Sequence, residues 1–180
     1  MKNDISESPL APVLTTLNDL VEKGFLQGYA IGGGMGVLYY IEPVLTYDFD
    51  VFCVFPGNGL LIDPSPLFGE LRRRGYAFGQ EDRVVIAGVP VQFIPADPGL
   101  MDEALAEAIP VEIEGVQTRI MKLEHLMANM LRLHRAKDRA KLSLIVESHS
   151  TRYNIDEFNK ILTRHNLSDK WERYYGESNS

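Results

Sequence analysis

Cysteine is almost missing from this chain: Cys53 is the only one in 180 residues. An intramolecular disulfide is therefore excluded. Set inside FDVFCVF, Cys53 is expected to pack as a small buried hydrophobe. No apolar run approaches the roughly 20 residues that cross a bilayer. The opening MKNDISESPL lacks the basic, then apolar, then small-residue order of a signal peptide. These absences predict a reduced, soluble, cytoplasmic protein without a membrane partner. The four histidines, His125, His134, His149 and His165, show no H-E-x-x-H or paired ligand spacing, so no zinc site is expected. No serine stands in a G-x-S-x-G elbow, which removes that hydrolase pattern. Basic excess is missing too. A formal charge of −7 speaks against a protein that coats nucleic acid nonspecifically, while leaving room for a local basic patch.

What is present reads as an ordinary globular protein, 45% apolar and 24% charged, long enough for one domain or a domain with a helical appendage. Leu10, Val13, Leu14, Leu17, Leu20 and Val21 recur at helical spacing, between Ser8-Pro9 and Gly24. A strand is expected at 29–31 and a helix at 35–41 that Pro43 stops. An apolar strand follows at 47–55, its composition that of a central strand buried on both faces. A helix spans 64–75 and ends in Arg72, Arg73 and Arg74, which suit its C-terminal dipole. Strands at 84–86 and 89–94 form a hairpin about Ala87-Gly88, with Pro90 an irregularity in the second. A helix at 101–108 and a hairpin at 111–120 turning at Glu114-Gly115 complete the body. From Lys122 the chain is helical, with a break at 148–154. Trp171, Tyr174 and Tyr175 suit the docking face of a terminal helix. The class is α+β: a mixed sheet with flanking helices over 1–120, and a C-terminal helical segment over 121–180 packed on it.

The chain is organised around residues 29–55, YAIGGGMGVLYYIEPVLTYDFDVFCVF. Gly32, Gly33 and Gly34 let a phosphate approach bare backbone N–H groups, and a helix beginning there adds its positive end. Asp48 and Asp50 share a strand face, because strand side chains alternate. Their carboxylates repel unless a cation is shared, and an all-oxygen acidic pair suits Mg²⁺ with substrate phosphates completing its shell. Each feature alone has a plain reading, the glycines as a ligand-free turn and the acids as a solvated start of a strand. The two together, one helix apart, point to a nucleoside triphosphate site. The familiar phosphate loops do not fit. Tyr39 and Val37 stand where a G-x-G-x-x-G would need glycine, and no Gly-Lys-Ser/Thr exists.

Gly-Gly, a helix and then Thr-x-Asp-x-Asp resembles the nucleotidyltransferase (DNA polymerase β-like) superfamily, and most of all its small bacterial branch with the AbiE-type toxins. VPVQFIPA is similar to that family's third-carboxylate strand, and LEHL with RAKDR to its C-terminal helical motif, so the likeness runs from 29 to 142. It implies transfer of a nucleoside monophosphate from an NTP to an RNA end or a protein hydroxyl, and a toxin or defence role with a cognate partner protein. By the same resemblance Gly32, Gly33 and Gly34 hold phosphates. Asp48 and Asp50 hold Mg²⁺ or Mn²⁺, Thr46 fixes the strand entry or bonds a carboxylate, and Arg135 and Lys137 contact nucleotide.

Two positions depart from the pattern. Glu42-Pro43-Val44-Leu45 stands where relatives carry a basic residue, and Gln92 stands at the third acidic position. Gln92 can ligate through its carbonyl but cannot act as a general base. Asp97, Glu81 and Asp82 are the acids nearby that could replace it. Lost chemistry at 92 would make the chain a nucleotide- or protein-binding module of the same fold. The most basic stretch holds Arg132, His134, Arg135, Lys137, Arg139 and Lys141. It reads either as a contact for triphosphate or RNA backbone, or as a solvated helix face with Glu124, Asp138 and Glu147 as partners.

Overall fold

A computed structural model describes residues 10–40, 49–57, 62–80, 83–147 and 153–176. Thr46, Asp48, Glu81 and Asp82 lie outside the described residues. In chain order the elements begin with α1 (Leu10–Glu22), β1 (Gly28–Ile31), α2 (Gly33–Tyr40), β2 (Phe49–Val54) and α3 (Ser65–Arg73). Then come β3 (Ala77–Phe78), β4 (Val84–Ile86), β5 (Val89–Pro95), α4 (Leu100–Ala106), β6 (Ile109–Ile113) and β7 (Val116–Ile120). The last four are helices, α5 (Leu123–Leu133), α6 (Ala136–Glu147), α7 (Ile155–Arg164) and α8 (Ser168–Tyr175).

One seven-stranded sheet runs β3-β4-β5-β2-β1-β7-β6. The β2–β5 and β1–β7 pairs are parallel and the others antiparallel. Both expected hairpins turn on two left-handed residues, Ala87-Gly88 (φ 50° and 82°) and Glu114-Gly115 (φ 51° and 77°). That backbone matches the right-handed twist of the flanking strands. Pro90 is accommodated because β5 pairs with the central strand β2 only from Val91 onward. The short edge strand β3 escapes sequence reading, since two residues show no period.

Alternation along β1 and β2 divides the core. Tyr29, Ile31, Phe49, Val51 and Cys53 face one side, where α1 contributes Leu14 and Leu17 and α3 contributes Leu67 and Leu71. Ala30 and Phe52 face the other, against Leu100, Met101, Leu126, Met127, Phe158 and Trp171. That second cluster runs continuously from the sheet into α5–α8. The acid Asp50 lies on its side of the sheet, flanked along β2 by apolar residues. Cys53 is buried as expected, and desolvation pushes its thiol up to about 12.

Two sequence expectations need correction. Tyr174 is half exposed while Trp171 and Tyr175 are buried, because residues four apart share a helix face and the middle one does not. The glycine run is also a shorter turn than expected. Only Gly32 separates β1 from α2, and Gly33 and Gly34 already belong to the helix.

Candidate functional site

The strand β1 ends at Ile31 and α2 begins at Gly33, so the chain reverses within one residue. Close packing demands glycine there. A Cβ on Gly32 would lie 2.6 Å from the Phe52 ring. One on Gly33 would lie 1.9 Å from Oδ2 of Asp50, and Gly33 has the left-handed φ of 55°. The Asp50 carboxylate therefore sits directly against the first residue of α2, where the helix dipole favours negative charge. The Gly32 N–H donates to the Asp50 carbonyl oxygen at 3.0 Å, tying the turn to β2. Gly34 is buried behind it and lines the same cleft.

Asp50 and Gln92 are direct partners in the parallel β2–β5 register, followed on the same face by Phe52 and Ile94. The position that the sequence marks as the third acid is thus beside Asp50, and it holds an amide. Both line a cleft of about 280 Å³ that reaches across to α5 and α6. Its walls carry five cationic side chains, Arg83, Arg132, Arg135, Lys137 and Lys141, and the acids Asp50, Asp97 and Asp138. Arg135 and Lys137 therefore do meet the glycines and Asp50 in one site, although more than 80 residues separate them in sequence.

The charges differ in what they are committed to. Asp138 is almost fully buried and accepts from the backbone N–H, Nε and Nη2 of Arg135 at 3.1, 2.6 and 3.2 Å. That bonding, with a smaller contribution from Asp50, raises the Arg135 pKa above its ordinary value. Asp97, expected as a stand-in for the third acid, lines the cleft but is bound by both terminal nitrogens of Arg132. Lys137 and Lys141 have no carboxylate partner among the described residues.

The donors suit a hard cation. Asp50 offers carboxylate oxygens and Gln92 an amide oxygen, beside a cationic wall able to take phosphate. Asp48, two residues earlier, is the further carboxylate that the sequence supplies.

A second cluster was not legible in the histidine spacing. Glu103 on α4, Glu107 just past its end and His125 on α5 bring potential ligand atoms within 4.8 Å of one another. Each acid is already neutralised. Glu103 is bound by Arg164, by His165 Nε2 at 2.8 Å and by His125 Nε2 at 3.1 Å, and Glu107 accepts from Lys122 at 2.6 Å. Arg164 above all, then His165 and His125, holds the Glu103 carboxyl down at about 2 against the cost of burial. This is a clamp joining α4, α5 and α7. A larger cavity of about 510 Å³, lined by Asn18, Tyr29 and Thr118, opens on the face of the sheet opposite Asp50. The Tyr29 hydroxyl there donates to Asn18 Oδ1 at 2.8 Å and lies 2.9 Å from the Thr118 hydroxyl, linking the two.

Sequence reasoning missed Arg83 and the role of Asp138. Arg83 has no motif around it in the sequence. Asp138 was visible only as a helical partner three residues from Arg135.

No protein-family model matches the chain, and no curated protein matches it by sequence. The solved structures similar in fold include three that cover nine-tenths or more of this chain. The antibiotic-resistance factor ANT(2'')-Ia in solution is 16% identical, with 96% of this chain and 98% of that one covered and a TM-score of 0.52. The crystal structure of ANT(2'')-Ia in complex with adenylyl-2''-tobramycin is 17% identical, covering 91% and 99%, with a TM-score of 0.51. An antigenic nucleotidyltransferase-like protein from Paracoccidioides brasiliensis is 14% identical, covering 90% and 93%, with a TM-score of 0.53. No described helix is long and apolar enough to cross a membrane. With Asp50 and Gln92 side by side beneath a glycine turn, and these neighbours along nearly its whole length, the chain has the nucleotidyltransferase fold.

Proposed function

We propose that this protein transfers a nucleoside monophosphate from an NTP to an acceptor hydroxyl. The observation that carries the reading is the Asp50 carboxylate seated against Gly33 at the start of α2, on the floor of a cleft whose far wall is cationic. In such a cleft the backbone N–H groups and dipole at the start of α2 bind phosphate. Arg135 is oriented by the buried Asp138 and presents its remaining guanidinium face to the triphosphate, while Lys137 and Lys141 supply mobile point charges. Asp50 and Asp48 would hold Mg²⁺ or Mn²⁺, which when bound neutralises phosphate charge and polarises the phosphoryl oxygens. The acceptor oxygen forms its bond to the α-phosphorus as the bond to the β-phosphate oxygen breaks, and pyrophosphate leaves. The hydroxyl proton passes to water, because the Gln92 amide has no basic atom and serves instead to orient the acceptor. Catalysis rests on positioning and charge, as in phosphoryl transfer generally.

The acceptor classes that the sequence resemblance supports are an RNA end and a protein hydroxyl. The resemblance to AbiE-type toxins supports a toxin or defence role with a cognate partner. One observation favours a second reading. Gln92 directly beside Asp50 removes an acid from the centre of the site, which suits a module that binds nucleotide without turning it over.

The test offers each α-labelled NTP with Mg²⁺ or Mn²⁺ to total RNA and to protein extract. Label is expected to enter one acceptor class, and Asp50→Asn is expected to reduce it by about a hundredfold or more. Folded wild-type protein that binds NTP without transferring label would establish the binding module instead.

A further inference from the structure

The end of α5 and the start of α6 form a corner of which one edge lines the cleft, through Arg132, Leu133 and Arg135. Between them His134 adopts a left-handed backbone, φ 50°, which turns its ring away from the cleft toward α8. There it meets Tyr174, with ring centroids 4.2 Å apart and planes tilted by 43°. Tyr174 remains 51% exposed and Leu133 46% exposed, side by side with the charged site. Two cations flank the rings. Arg139 donates from Nη1 to the His134 carbonyl at 2.9 Å, and Lys170, one turn before Tyr174 on α8, donates from Nζ to the Arg132 carbonyl at 3.0 Å. These bonds cap the end of α5, but they use one donor of each cation and leave both charges at the surface. Burial, with Lys170 and Arg139 close by, lowers the His134 pKa, so the ring is neutral near pH 7.

We propose that this corner binds the single-stranded end of a polynucleotide and delivers its terminal hydroxyl to the cleft. The inference rests on the transfer reading for the chemistry, and goes beyond it in choosing the acceptor and the surface that holds it. Charge complementarity selects an anion, since the cations of this corner and of the adjoining cleft stand out in a chain of net charge −7. The half-exposed Tyr174 selects among anions, because an unpaired base offers a flat face to stack on a ring and a folded acidic protein surface does not. A duplex keeps its bases stacked internally and gains only the charge.

The test measures binding of a fluorescent single-stranded RNA of about twelve nucleotides by polarisation, and NTP binding by calorimetry, on the same protein. Tyr174→Ala is expected to weaken RNA binding about tenfold, and Tyr174→Phe to preserve it. Both should leave NTP affinity unchanged, because Tyr174 lies outside the cleft. Engagement of three or four phosphates gives a log affinity against log salt slope of about −2 to −3, and duplex RNA of the same sequence binds more weakly. Trp171 and Tyr175 still anchor α8 in the variants, and unchanged near-ultraviolet circular dichroism verifies this. Tyr174→Ala binding RNA as wild type does would overturn the proposal. So would NTP binding without RNA binding, or label entering protein hydroxyls at a rate Tyr174→Ala does not alter. RNA binding without NTP binding would uphold the surface and defeat the transfer reading.

Discussion

Gly33→Ala isolates the contact on which the candidate site is built. The alanine Cβ would lie 1.9 Å from Asp50 Oδ2, where ordinary contact begins at 3.4 Å, and the residue would keep a φ of 55°. Left-handed backbone costs a non-glycine residue about 1–2 kcal/mol. Pushing the Asp50 side chain off its rotamer adds about 0.5–1.5 kcal/mol. The expected loss is therefore about 1.5–3.5 kcal/mol, or about 3–14 °C in Tm for a chain of this size. Gly115→Ala separates the two costs. Gly115 has a φ of 77° and open space around its would-be Cβ, so it should lose only the backbone part, about 1–2 kcal/mol. The assay pairs urea unfolding of both variants with Mn²⁺ and NTP titrations of the folded proteins. Gly33→Ala should weaken both ligands while Gly115→Ala leaves them at wild-type affinity. Equal stability loss in the two variants, with unchanged ligand binding by Gly33→Ala, would refute the close approach of Asp50 to α2.

Gln92→Asp places a second carboxylate beside Asp50, and Mn²⁺ affinity should rise; an unchanged affinity would put position 92 out of reach of the metal. The Glu103 clamp should make the fold acid-sensitive. Its carboxyl is held at about 2, below the ordinary 4.5, so its stabilisation is complete above about pH 4.5 and is lost as pH falls from there toward 2. Urea midpoints measured between pH 6 and 2.5 should fall more steeply for wild type than for Glu103→Gln, and parallel curves would contradict the clamp. Phe158→Ala empties a fully buried position that meets Trp171 edge-on at 4.8 Å and should cost about 3–5 kcal/mol by denaturant unfolding. A loss below about 1 kcal/mol would mean that α7 and α8 do not share the core of the sheet.

The local half of this protein was legible without coordinates. Leu14, Leu17 and Leu20 declare the buried face of α1 by spacing alone. Ala87-Gly88 and Glu114-Gly115 declare their turns, because only a few residues tolerate positive φ. Gly32, Gly33 and Gly34 with the pair Asp48 and Asp50 carry the expectation of a phosphate and metal site, since close backbone approach and two acids on one strand face each leave a mark on the sequence. What depended on distant segments was not legible. Parallel pairing of β2 with β5 sets Gln92 beside Asp50; only the family resemblance pointed to position 92, because nothing in either strand alone specifies that register. The same basic stretch could be a solvated face or a cleft wall, and the packing of α5 and α6 across the Asp50 face of the sheet turns Arg135 and Lys137 toward it. Glu103, His125, Arg164 and His165 become one clamp only when α4, α5 and α7 converge. Periodicity reports which face of an element is apolar, whereas the identity of the element covering that face is decided by the tertiary fold.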